Sequence, residues 1–388
     1  MAPSALFINH RFGYGTDRFS GAFAVLFARA HPHLRVRCRV YSDVDTPFFV
    51  RHELGPQGTD IALFNAMNDI QARALGEEGK LLALDGLLGE DLLSRLDPLG
   101  LSRFTSGGRL FALPKNNAFG LLFCRRDLLD PLGVDVPQTW EALVDIGRVL
   151  QQAKRASAPI LMRGIGNHAK TFLEYLWSNG GRVYAPDSGI AVNSTAAGET
   201  LDFLLSLIYR HRLVPVESLQ RESWKNRQPF LVGQSAFYQE SSDFLMLLRH
   251  QWKTGVDRKL KLALAPRGPS GRLQGSYIEG SCFVVPARTR FPKEAEALVK
   301  FFADWRTCGA LESRWVFPFP RFKLPYEVIK DSYFVQVHRG LALLSGRQEV
   351  PEDGAMDPAA MAVLERHVTR CLLRVQGVEK TLGALAEE

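Results

Sequence analysis

Phe111-Ala112-Leu113-Pro114-Lys115-Asn116-Asn117-Ala118-Phe119-Gly120-Leu121-Leu122-Phe123 is the stretch on which the fold turns. An apolar segment is stopped by a proline, three polar residues follow, and a second apolar run starts at once. That pattern predicts a break in the chain's course, with one core before it and another after it. On the N-terminal side, Ala5 to Ile8 is apolar, Asn9 to Gly15 is polar, and Ala22, Phe23, Leu26, Phe27 and Ala30 recur at helical spacing until Pro32. Arg35, Arg37 and Arg39 alternate with Leu34, Val36, Cys38 and Val40, as in a half-buried strand with a basic outer face. Ile61-Ala62-Leu63-Phe64 does not alternate and reads as a strand covered on both faces. Strands of this kind alternating with helices imply a mostly parallel sheet between helical layers.

The C-terminal side uses the same vocabulary. Thr139 is placed to cap a helix in which Trp140, Leu143, Ile146 and Leu150 share a face. A strand is predicted at Pro159 to Met162 and a helix at Thr171 to Trp177, ending at Gly180-Gly181. Ser194 is a second candidate cap, for a helix through Leu201, Leu204, Leu205 and Ile208. Two further breaks stand out, a Pro/Gly-rich turn and polar segment from Pro266 to Gly280 and the passage Phe317-Pro318-Phe319-Pro320. A helical region is predicted from Glu294 to Trp305 and another from Met361 to Leu385. Three breaks imply that the backbone crosses between two lobes three times.

Composition bounds the function. With 388 residues, 46% hydrophobic and 23% charged, the chain can build two cores. The net charge is +7, but the basic residues are scattered, so no nucleic-acid stripe is expected. No apolar run reaches membrane-spanning length, and Met1 to Asn9 lacks the pattern of a secretory signal. The 5 cysteines, Cys38, Cys124, Cys282, Cys308 and Cys371, are far apart and predict neither a disulfide framework nor a zinc site. The 9 histidines show no ligand spacing, so no metal or cofactor is expected.

The order of short motifs resembles the family 1 extracellular solute-binding proteins, the maltose-binding-protein-like group. The run is Gly58-Thr59-Asp60-Ile61, Gly79-Lys80-Leu81-Leu82-Ala83-Leu84, Gly107 to Pro114, and Gly133-Val134-Asp135-Val136-Pro137-Gln138-Thr139-Trp140-Glu141. It continues with Ser178-Asn179-Gly180-Gly181, Phe230 to Phe237, and Leu264-Ala265-Pro266-Arg267-Gly268. The resemblance implies an α/β fold of the periplasmic-binding-protein-like type II: two lobes, three hinge crossings and a ligand cleft. Carried onto this chain, the lobes are 1–113 plus 280–319 and 114–279 plus 320–388. The hinges then lie near Leu113 to Lys115, Gln274 to Glu279 and Phe319 to Arg321. It also implies capture of a carbohydrate for ABC permease subunits, by a monomer in the periplasm or at the cell surface. A cytoplasmic ligand sensor of the same fold is the alternative for the compartment.

In sheets of this kind ligands sit beyond the carboxyl ends of the strands. Sugars are held by planar amides and charged groups around their hydroxyls and by aromatic faces against their C–H faces. The candidates are Asn9, Arg11 and Tyr14 after the first strand, Asn65 after the third, and Asn116 at the first crossing. The second lobe adds His168, Trp177, Trp224, Tyr238, Glu240, Tyr277 and Glu279, with Arg314 and Trp315 near the last crossing. A dinucleotide enzyme is the competing class. Gly164-Ile165-Gly166-Asn167-His168-Ala169 has the GxGxxA form between a predicted strand and helix, with Asp187 the nearest acidic residue at the expected spacing.

Overall fold

The computed structural model describes residues 5–11, 25–33, 35–41, 61–64, 69–114, 118–185, 189–190, 192, 194–248, 255–272, 274–279, 282–304 and 358–387. The chain divides into two compact units, Met1–Ala118 with Glu279–Leu341 and Phe119–Ile278 with Ala342–Glu388. The first division falls after Ala118 and not after Leu113, because Leu113 and Pro114 pair with Phe283 and Cys282 inside the first unit's sheet. The second falls between Ile278 and Glu279, so Glu279 goes with the first unit. The third expected crossing, Phe319 to Arg321, lies outside the described residues.

The strands of the two sheets are, in chain order, β1 (Ala5–Arg11), β2 (Arg35–Tyr41), β3 (Ile61–Phe64), β4 (Leu113–Pro114), β5 (Ala118–Arg125), β6 (Ile160–Leu161), β7 (Phe237–Ser241), β8 (Leu260–Ala263), β9 (Ile278–Glu279) and β10 (Cys282–Val284). The first unit's sheet has the order β2-β1-β3-β10-β4. Its first three strands are parallel, and β10 runs against both of its neighbours. The second unit's sheet has the order β8-β5-β7-β6, with β9 pairing β5. There β6 and β7 are parallel, and β5 runs against β7 and β8. Among the pairings whose direction is described, β10 is the reversed strand of the first sheet and β5 that of the second, and each follows a division between the units in the chain.

The helices follow their caps and apolar faces. α1 (Trp140–Gln152) starts at Thr139, whose hydroxyl accepts the Ala142 N–H at 3.2 Å, and buries Trp140, Leu143, Val144, Gly147 and Leu150. The Trp140 ring lies flat on Phe203 with centroids 4.2 Å apart. α2 (His168–Ser178) is longer than the predicted Thr171 to Trp177, and all but Lys170 of its residues are buried. α3 (Thr195–Leu205) is capped by Ser194, which accepts the Ala197 N–H at 3.2 Å. α4 (Ser223–Leu231) precedes β7, and α5 (Pro292–Ala303) covers the first unit's sheet, where Phe302 stacks on Phe283 at 3.8 Å. The last predicted helix is two, α6 (Pro358–Leu372) and α7 (Val378–Glu387). Arg374 turns to φ 56° between them, and the Val375 and Gln376 N–H groups fold back onto the Arg370 carbonyl.

Candidate functional site

In the second unit, β6, β7 and β8 end at the edge where β5 begins. The loop Met162–Asn167, the start of α4, residues 240–242 and Tyr277 all gather at that edge. Just beneath it lies a buried polar cluster. Arg163 donates from both terminal nitrogens to the Glu174 carboxylate, each bond 2.8 Å, and the two side chains are 3% and 0% exposed. The Gln239 amide adds a 2.6 Å bond to the same carboxylate. Burial pushes the Glu174 carboxyl upward in pKa, against the pull of Arg163. Loop and helix are also joined directly, the Gly164 N–H donating to Ser223 Oγ at 2.9 Å and the Ile165 N–H to the Arg221 carbonyl at 3.0 Å.

The expected site residues do not share one environment. Trp224 stands 57% exposed in the first turn of α4, with the Lys225 ammonium 5.4 Å from its ring centre. Trp177 and Tyr277 lie parallel with centroids 6.3 Å apart, and the Lys170 ammonium sits 5.4 Å from the Tyr277 ring. Trp177 is buried and its indole Nε1 has no hydrogen-bond partner. Asn9 and Arg11 close β1, their backbones in register with Arg39 and Tyr41, and Glu279 closes β9. Tyr14, Asn65, Asn116, Arg314 and Trp315 lie outside the described residues.

His168 and Tyr238 are corrections, and Glu240 follows them inward. His168 is wholly buried, its Nδ1 2.7 Å from Thr369 Oγ1 and 3.5 Å from Glu365 Oε1 on α6. It sits under the last helices because α6 lies across the start of α2, where Glu365 also accepts the Ala169 N–H at 2.8 Å. Tyr238 is wholly buried against Phe230 and Phe244, its hydroxyl 2.8 Å from the Ser223 carbonyl and 2.6 Å from Glu240 Oε2. Glu240 is 4% exposed, accepts the Ser241 N–H at 2.8 Å and faces Arg227 at 3.6 Å. For Tyr238, the polar residues that follow it in the sequence suggest exposure. In the strand, Gln239 and Glu240 are instead part of a buried network. Arg163, Glu174 and Gln239 were missed, although a lone glutamate within Phe172-Leu173-Glu174-Tyr175-Leu176-Trp177 is itself a signal that a buried partner waits.

Residues 41–304, more than half of the chain, match the profile of the bacterial extracellular solute-binding protein family. The chain belongs to this family. Among curated relatives of this solute-binding protein, a probable ABC transporter-binding protein of Deinococcus radiodurans is 28% identical over 205 residues, 51% of this chain and 48% of the relative. A mannitol-binding protein of Pseudomonas aeruginosa is 22% identical over 297 residues, 74% of this chain and 65% of the relative. The chain's matched stretch therefore spans between about half and two thirds of the length of these relatives. Among solved structures, the maltose-bound MalE3 protein of T. maritima superposes with a TM-score of 0.79 at 21% identity, covering 99% of this chain and 98% of that one. The fold is thus the type II periplasmic-binding-protein arrangement, over the whole chain.

That fold also accounts for the GxGxxA stretch of this solute-binding protein. A Cβ on Gly164 would fall 1.8 Å from the Arg221 carbonyl oxygen, so the glycine is required by loop packing. The loop's N–H groups at Gly164 and Ile165 already have protein partners and are not directed at a phosphate. Among the described residues no helix is long and apolar enough to cross a membrane.

Proposed function

We propose that this solute-binding protein captures a carbohydrate at the carboxyl edges of its sheets and delivers it to the membrane subunits of an ABC importer, outside the cytoplasmic membrane and as a monomer. The observation that carries the reading is family membership joined to a full-length likeness to a maltose-bound protein. A mannitol-binding relative and a transporter-binding relative point the same way. The role is binding and release, without a chemical step.

On this reading Trp224, the exposed ring at the strand edge, offers a face for the C–H side of a sugar or polyol. Of the remaining candidates, Asn9, Arg11, Tyr14, Asn65, Asn116, Glu279, Arg314 and Trp315 carry the amide, charged and aromatic groups that suit a sugar's hydroxyls and C–H faces. Trp177 and Tyr277 stiffen the second unit's side through their mutual stack. Titration calorimetry against a panel of maltooligosaccharides, glycosides and polyols is the test. Heat and saturation with at least one member are expected, and silence across the whole panel sinks the carbohydrate reading.

A further inference from the structure

The buried Arg163–Glu174 pair is not needed to fill space, since ion pairs in cores are often replaceable by apolar residues at no loss of stability. Its surroundings say what else it does. The backbone of β5 runs directly over the carboxylate, so that a Cβ on Gly120 would fall 1.4 Å from Glu174 Oε1. Gly120 lies just past the first passage between units, which falls after Ala118. Its N–H donates to the Tyr277 carbonyl at 2.9 Å, and its carbonyl accepts the Ser276 hydroxyl at 2.9 Å. Tyr277 lies just before the second passage, which falls after Ile278, and its backbone hydrogen-bonds the Glu174 carboxylate.

One face of α2 completes the attachment. Lys170, Glu174, Trp177 and Ser178 follow the helical repeat, and each meets the segment leading into the second passage. Lys170 and Trp177 both lie against the Tyr277 ring. Gly275 lies so close to the helix that a Cβ there would come 2.8 Å from both the Glu174 carbonyl oxygen and the Ser178 nitrogen. A Cβ on Gly271 would come 1.7 Å from the Ser178 carbonyl oxygen. The second passage is therefore bonded to the carboxylate through Tyr277, the first lies against it at Gly120 and is bonded to Tyr277 and Ser276, and every group in this tie belongs to the second unit.

We propose that Arg163 and Glu174 are a positioning pair that pins both passages to α2 and the second sheet, fixing where the hinge of this binding protein starts to flex. The consequence for ligand affinity rests on the proposed binding function, but the pinning itself does not. A hinge whose root is fixed confines bending to the few residues beyond it, which keeps closure a defined motion. Loosening the root spreads the bend and widens the range of open forms, so ligand binding must then order more of the chain.

Hydrogen exchange by mass spectrometry on the ligand-free protein tests this. The double variant Arg163→Met with Glu174→Leu removes the charges together and leaves neither partner buried alone. Exchange in peptides covering 118–122 and 274–279 is expected to quicken roughly ten-fold, while α1, in the same unit, stays at the wild-type rate. Unchanged exchange at both passages in the folded double variant overturns the proposal. So does quickening shared equally by α1, since that marks the pair as general core. If the double variant does not fold, Glu174→Gln, which keeps the shape and removes the charge, is read by the same criteria. Because no ligand is present, the outcome is independent of the carbohydrate reading.

Discussion

Tyr238 and Trp224 lie on neighbouring elements at the same sheet edge, and the sequence offers equal grounds for putting both against a ligand. Their environments part them. Tyr238→Phe removes the hydroxyl that sits between the Ser223 carbonyl and Glu240, and with it the single proton those two buried acceptors share. A loss of about 1–3 kcal/mol in unfolding free energy is expected, with ligand affinity unchanged. Trp224→Ala, at a ring 57% exposed, is expected to leave stability within about 0.5 kcal/mol and to weaken carbohydrate binding by about 1–3 kcal/mol. Denaturant unfolding and calorimetry on both variants decide the matter, and a reversed pattern would exchange the two roles. At this scale the sequence is a poor guide, because polarity of near neighbours tells which groups want partners, not whether solvent or protein supplies them. Glu174 shows the converse: its isolation among apolar residues was readable, but its partner Arg163 lies in a different element and had no local mark.

Among elements, the contact of α6 with the start of α2 is where burial of a titratable group has a measurable consequence. Burial holds the His168 imidazole below its ordinary pKa of 6.5, with Glu365 opposing. In the unfolded chain the same side chain takes up a proton near pH 6.5. Below that value the unfolded chain binds more protons than the folded one, so stability falls as pH falls through this window. His168→Asn, which can still reach Thr369, removes that linkage. Thermal unfolding between about pH 7.5 and about pH 5.5 is expected to show a smaller drop in Tm for the variant than for the wild type. Equal drops would place the acid sensitivity elsewhere. Elements were the most readable level of the sequence: the caps at Thr139 and Ser194 are where spacing and side-chain chemistry placed them. The break between α6 and α7 was not, because Arg374 at φ 56° is a left-handed turn at a residue with no local preference for one.

For the molecule as a whole, the decisive feature is that the second unit is discontinuous, ending in a segment that returns to it from Ala342 onward. The breaks along the chain announced two cores, but which late segment belongs to which core is a long-range matter that periodicity does not carry. Only the order of family motifs reached that far, and it set the first boundary after Leu113, inside the strand that the first unit retains. The returning segment is no ornament on the surface. Leu364, Val368, Cys371, Leu372, Leu382 and Leu385 are buried in the same apolar core as Trp140, Phe172 and Leu201. Glu365 caps the Ala169 N–H, and the Tyr209 hydroxyl bonds the Leu372 carbonyl at 2.9 Å. At about 2 kcal/mol for each large apolar side chain, the segment contributes on the scale of a whole domain's net stability, about 5–15 kcal/mol. A chain ending at Leu341 is therefore expected to keep no cooperative second unit. Near-ultraviolet circular dichroism should lose the signal of Trp140 and Trp177, and calorimetry should lose an unfolding transition. A truncated chain that melts with the full-length enthalpy would show instead that the second core closes without its last two helices.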